Sequence, residues 1–197
     1  MCIRDSKYVV PVAASVYEAQ AKRLGKTYPM TFADNALSFR SGNPKPCGTP
    51  DDILAQGKRF YEALSPETGE FFNTMLDNEL LDVLSTPGKR AGGYCTSLGE
   101  YRVPFIFANF NGTQHDVEVV THEAGHAFAA WLNRDRIPQS YIWPSLEACE
   151  VHSMSMEFFT NPWMEKFFGS RASDFLKSQL EDAVVFIPVS YTHLRAH

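Results

Sequence analysis

His122-Glu123-Ala124-Gly125-His126 decides how this chain is read. Val117, Val119, Val120 and Thr121 lead into it, and Ala127, Phe128, Ala129, Ala130, Trp131 and Leu132 follow. The apolar, small-residue run after the motif predicts a buried helix. On a helix, side chains four residues apart stand one turn apart on the same face. Two imidazoles in that relation can grip one metal ion. Glu123, one residue on, points to the neighbouring sector, where it can reach a water beside the ion without binding the ion itself. Two histidine ligands and a glutamate general base form the zinc peptidase pattern H-E-x-x-H. The competing reading is an accidental His pair on an ordinary helix. Gly125, between the histidines, favours the first, because a residue without Cβ lets a second backbone come close.

Catalytic zinc takes three protein ligands and leaves a position for water. The extended pattern H-E-x-x-H-x-x-G-x-x-H would supply the third nearby. Ala129 and Leu132 stand at its Gly and final His positions, which excludes it. The remaining source is a glutamate on a following helix. Pro144 to Phe159 is the candidate, with Pro144 expected in its first turn and Pro162 beyond its end. Glu147, Glu150 and Glu157, three and seven apart, share one face, while Leu146, Cys149, Met156 and Phe159 are expected to carry much of the burial. Spacing alone does not separate Glu147 from Glu150.

Elsewhere the pattern is mostly helical. Val9, Val12, Ala13, Val16 and Leu24 form a stripe that Gly25 can end. Residues 27–49 are rich in Pro, Gly and Asn and read as loop. Thr49-Pro50 opens a second helix with Ile53, Leu54, Phe60, Tyr61 and Leu64 inward. Ser65-Pro66 opens a third with Phe71, Phe72, Met75, Leu76 and Leu80. Residues 86–89 read as a turn, and the convincing strands fall between Gly92 and Phe110, including Val103 and residues 105–107. Asn111-Gly112 is the turn before the motif helix. The expected fold is mainly α, with a small β-sheet beside the active site.

Several long stretches resemble one family. They are residues 92–96 (GGYCT), 104–113 (PFIFANFNGT), 116–128 (DVEVVTHEAGHAF) and 146–158 (LEACEVHSMSMEF), with residues 41–46 (SGNPKP) and 64–68 (LSPET) upstream. Together they look like the oligoendopeptidase F branch of the thimet oligopeptidase family, over about residues 7–188. The resemblance implies a zincin-like (gluzincin) fold and one Zn(2+) per chain held by His122, His126 and Glu150. It implies Glu123 as catalytic base and short peptides as substrates. It thereby chooses Glu150 over Glu147. Family chains are longer, and the part carrying their substrate-binding Tyr and His residues has no counterpart here. An alternative is therefore a zinc-binding fragment that is catalytically incompetent.

The mechanism expected is hydrolysis by a zinc-bound water, activated by Glu123, which then delivers the proton to the leaving amine. Peptides are often held as an added strand on a sheet edge. Gly92, Gly93 and Tyr94 are the candidate substrate contacts, against a reading in which the glycines serve only a turn. Glu157 lies two turns beyond Glu150 on its face. It is the expected carboxylate behind a ligand histidine. Asp116 and Glu118 are further candidates, set against a reading as solvated acids. His115 and His152 are read as structural.

The 197 residues carry a formal net charge of −5, which argues against nucleic acid or anionic membrane as partner. No stretch approaches the ~20 apolar residues of a membrane span, and no secretory leader is visible. Cys47, Cys95 and Cys149 are widely spaced and form no C-x-x-C pair, which suits free thiols in the cytoplasm. Residues 1–6 and 189–197 resemble translated sequencing adapter. They are expected to be non-native and poorly packed, so that Tyr191, His193 and His197 carry no function, leaving residues 7–188 as part of a catalytic domain. The pattern does not speak to oligomeric state.

Overall fold

The structure is a computed structural model. It describes the backbone of residues 5–34 and 36–194, and side chains from 7 to 185 apart from 35. The expectation of poorly packed ends therefore falls on side chains outside the described residues. The chain divides into two compact units, residues 1–44 with 170–197, and residues 45–169.

The first unit is helical. A short π-helical turn, Asp5–Val9, runs into α1 (Val10–Leu24), which stops at Gly25 in the left-handed conformation. At the other end of the chain the same unit includes α8 (Ala172–Leu194). Arg23 joins the two helices, donating to both carboxylate oxygens of Glu181 at 3.0 and 2.7 Å. Its guanidinium also lies over the Phe39 ring at 4.9 Å, with Arg171 5.6 Å from the same ring.

The second unit begins with two helices whose start signals were plain in the sequence. In α2 (Pro50–Leu64) Thr49 is the N-cap, and in α3 (Pro66–Asp77) Ser65 is. Each helix has a capping box and a proline in its first turn. Phe60, Tyr61, Phe71, Phe72 and Met75 of these helices are fully buried. The Tyr61 and Phe72 rings stack with centroids 4.5 Å apart.

A three-stranded sheet follows, in the order β1-β3-β2, with β1 Leu81–Leu84, β2 Tyr94–Leu98 and β3 Val103–Phe110. β2 pairs antiparallel with β3, Cys95 facing Ile106, while β1 pairs parallel with β3. β1 was not expected. It is four residues long, and its partner lies more than twenty residues downstream, so no local period announces it. β3 alternates strictly, with Pro104, Ile106, Ala108 and Phe110 buried. β2 is the margin of the sheet among the described residues.

The motif region is helical but not one regular α-helix. A short α4 (His115–Glu118) passes into a π-helical turn, Val119–Glu123, and then into α5 (Ala124–Leu132). Such π-turns break the regular hydrogen-bond ladder and recur at functional sites. Here the Val120 carbonyl accepts from the buried Tyr61 hydroxyl at 2.9 Å. The Thr121 hydroxyl donates back to Val117 O and Glu118 O. Helix α6 (Leu146–Phe159) packs on α5. Its N-cap is Ser145, so Pro144 lies just outside the helix rather than in its first turn. Leu146 and Phe159, expected to be buried, are 71% and 56% exposed. They sit at the two ends of α6, beyond the reach of α5, and burial falls instead on Cys149, Ser153 and Met156. Leu132, at the end of α5, is likewise exposed. A short α7 (Met164–Phe168) completes the unit, burying Met164, Phe167 and Phe168.

Candidate active site

Gly125 sets how close α5 and α6 can come. A Cβ placed there would lie 2.7 Å from the Ser153 Cα and 3.0 Å from the His152 carbonyl oxygen. That crossing carries residues 150–157 past the face that bears the two histidines.

The side chains of His122, His126 and Glu150 converge, each offering a donor atom within 4.8 Å of the others. Glu150 Oε2 lies 3.4 Å from His122 Nε2 and 3.9 Å from His126 Nε2. The two imidazoles stand edge to face with centroids 4.9 Å apart. Donors around a tetrahedral zinc with bonds of about 2.0–2.2 Å are roughly 3.4 Å apart. The gap among these three atoms, two imidazole nitrogens and one carboxylate oxygen, suits that ion in size and in donor chemistry. Glu147, on the same helix, does not join the group.

Behind the donors, Glu157 Oε1 is 2.5 Å from His122 Nδ1. This bond leaves Nε2 as the nitrogen turned toward His126 and Glu150. Burial opposes charge on His122. The Glu157 hydrogen bond and the Glu157, Glu123 and Glu150 carboxylates outweigh it and hold the imidazole pKa above its ordinary value. At His126, burial and the neighbouring His122 act together and depress it. Ser153, wholly buried on α6, has its Oγ 3.0 Å from Glu150 Oε2 and 3.2 Å from the Glu150 carbonyl oxygen. Nothing in the linear pattern singles out Ser153 beyond its place one turn after Glu150.

Glu123 lies between this group and the sheet. Burial raises its pKa, and the Glu150 carboxylate adds to the rise. His122, His115 and the Cys95 backbone N–H on β2 pull the other way. A carboxylate so shifted is a better proton acceptor near neutrality than a solvated one.

The remaining candidates divide. Asp116 is buried, but it does not support a ligand histidine. Its two carboxylate oxygens accept from the backbone N–H groups of Asn111 and Gly112, at 3.0 and 2.8 Å. An acid that close to a turn satisfies the turn's own donors first. Glu118 is likewise engaged locally, with Gln114 and His115. His115 and His152 stay outside the donor group. Gly92, with φ +104°, and Gly93 lead into the margin strand β2, and no atom within 4 Å would oppose a Cβ at Gly92. Asn109 holds this approach, donating to the carbonyls of Arg90 and Gly92 at 2.8 and 2.9 Å. Tyr94, half exposed, stacks on Phe107 with centroids 5.2 Å apart.

Comparison with known proteins places this geometry. No curated protein matches the chain. Among solved structures, a Bacillus anthracis protein provisionally named oligoendopeptidase F shares 49% identity over 94% of this chain, with a TM-score of 0.89. A second structure under the same provisional name shares 50% over 92%, with a TM-score of 0.87. PZ peptidase A, solved with an inhibitor, shares 49% over 94%, with a TM-score of 0.88. The chain spans about a third of each of these proteins, 34%, 32% and 33% of their lengths. Residues 59–185 match Peptidase family M3. The mostly helical, zincin-like fold with its small sheet, the two-helix donor group and this sequence match agree, and the chain belongs to peptidase family M3, similar over most of its length to structures named oligoendopeptidase F.

Proposed function

We propose that this chain carries the catalytic centre of a zinc-dependent endopeptidase acting on short peptides. His122, His126 and Glu150 hold one zinc ion, and Glu123 is the general base. When bound, zinc supplies Lewis acidity toward a water and a peptide carbonyl. Glu123 takes the proton from the attacking water and passes it to the leaving amine nitrogen. Its raised pKa suits it to both halves of that transfer. Glu157 fixes the His122 ring through Nδ1 and keeps Nε2 available. Substrate backbone adds to the open margin of β2, approaching over Gly92, Gly93 and Tyr94.

The observation that carries the reading is the convergence of His122 Nε2, His126 Nε2 and Glu150 Oε2 beside Glu123. Membership of a peptidase family supports it. Among the described residues no helix is long and apolar enough to cross a membrane. The unpaired thiols of Cys47, Cys95 and Cys149 support a cytoplasmic setting. A second reading, zinc binding without turnover by this length of chain, has its support in the one-third coverage of the matched proteins. Zinc content by atomic absorption and cleavage of an internally quenched peptide separate the two. One zinc with cleavage supports the peptidase, and one zinc without cleavage supports the second reading. No zinc at all, at equimolar metal and neutral pH, removes both.

A further inference from the structure

Glu150 is the most exposed of the three candidate donors, its side chain 42% accessible against 28% for His122 and 13% for His126. A long carboxylate side chain on a helix surface samples several rotamers, and holding one of them costs conformational entropy. A donor that must be gathered from solvent weakens capture of the ion. The structure shows one contact that gathers it. Ser153, with no exposed surface, lies one turn on along α6 with its Oγ 3.0 Å from Glu150 Oε2.

We propose that Ser153 is a positioning residue for metal capture, its hydroxyl holding Glu150 Oε2 in the gap between His122 and His126 before the ion arrives. The inference rests on reading those three residues as zinc ligands. A hydroxyl carries a single hydrogen, and Ser153 has two acceptors within reach, Glu150 Oε2 and the Glu150 carbonyl oxygen at 3.2 Å. The bond to the carbonyl is the ordinary back-bond of a helical serine. The bond to the carboxylate is charge-assisted and the stronger of the two. A carboxylate oxygen has room for more than one partner. Occupied on one side by Ser153, Oε2 keeps the other side toward the imidazoles at 3.4 and 3.9 Å. Position 153 also admits only a small side chain. Its Cα lies against Gly125 at the helix crossing, so the hydroxyl is delivered from a backbone that cannot shift far.

The test uses the chain itself and does not need turnover. Zinc affinity is measured by competition with a chromophoric chelator on wild type, Ser153→Ala and, as a control on the same helix, Ser155→Ala. The visible spectrum of each cobalt(II)-loaded protein is recorded alongside. Groups that orient metal ligands are worth about 10–100-fold in metal affinity. Ser153→Ala should therefore bind zinc at least tenfold more weakly and shift the cobalt bands. Ser155→Ala should match wild type, and the metal-free melting temperature should stay the same in all three. A serine that merely back-bonds to its helix would leave affinity and spectrum unmoved. Ser153→Ala binding within twofold of wild type, with the same cobalt spectrum, overturns the positioning role and leaves the ligand assignment standing. Wild type that takes up no zinc overturns the ligand assignment instead. If Ser153→Ala melts well below wild type, Ser153→Cys, close in size and a weak donor, is judged by the same two criteria.

Discussion

At the scale of single residues, Glu123 and His122 make separable predictions. Glu123→Gln keeps the shape of the side chain but cannot accept a proton near neutrality. It should retain zinc and lose at least the 10²–10⁴-fold typical of general-base catalysis, about that range being the minimum because the same group also returns the proton. Zinc content and peptide cleavage on an active, full-length relative carrying the equivalent change check this, and cleavage within about tenfold of wild type would falsify the role of Glu123. For His122, proton and metal compete for Nε2. Its pKa in the metal-free fold lies above the ordinary 6.5. Zinc affinity should thus climb as pH rises through the window above 6.5. The stability that the protonated imidazole gives the metal-free fold is present below that value and is lost over the same window. Glu157→Gln removes the carboxylate behind Nδ1. It should move the climb to lower pH and lower its plateau by about 10–100-fold. Chelator competition at a series of pH values measures both, and a climb at unchanged pH would detach Glu157 from His122. The sequence pointed to His122, Glu123 and His126 because their relation is local to one turn. It misread Asp116, since what a carboxylate binds depends on which donors the neighbouring turn leaves open.

At the scale of elements, the crossing of α5 and α6 is the feature most open to test. Gly125→Ala sets a methyl carbon 2.7 Å from a backbone carbon, where no side chain can rotate away. The helices must part. Overpacking of this kind costs about 1–3 kcal/mol, and the separation should also draw Glu150 from the histidines. We expect a lower midpoint in urea and at least tenfold weaker zinc binding, consistent with the sensitivity of ligand positioning. A variant that loses stability but binds zinc as wild type does would show that the crossing is not what brings Glu150 into range. Element starts were legible wherever chemistry is local, as at Thr49-Pro50 and Ser65-Pro66, whose side chains satisfy the first N–H groups of their own helices. The π-helical turn at Val119–Glu123 was not. Its Val120 carbonyl accepts from the hydroxyl of Tyr61, about sixty residues earlier, and no periodicity in the motif region encodes that partner.

At the scale of the whole molecule, all three candidate donors lie in the unit formed by residues 45–169. A ligand that binds only the folded state stabilises it by about 2.7 kcal/mol at a hundredfold excess over its Kd. Zinc should therefore raise the melting temperature, and excess chelator should reverse the rise. Hydrogen exchange should slow most in Val119–Leu132 and Leu146–Phe159, with little change in α1. Protection spread evenly over both units would mean that the ion binds elsewhere. What the sequence determined by itself was the chemistry on offer: two imidazoles and a base one turn apart, helix starts with their own caps, a predominantly helical chain with strands between Gly92 and Phe110. Each is settled within a few residues, where spacing and hydrogen-bonding capacity decide. Only the tertiary structure decided how closely Glu150 approaches the two histidines, which acid turns away to cap a loop, and which serine touches Glu150. Those outcomes depend on how closely two helices approach and on which buried groups compete for each hydrogen bond, and distance between segments is not written in the order of residues.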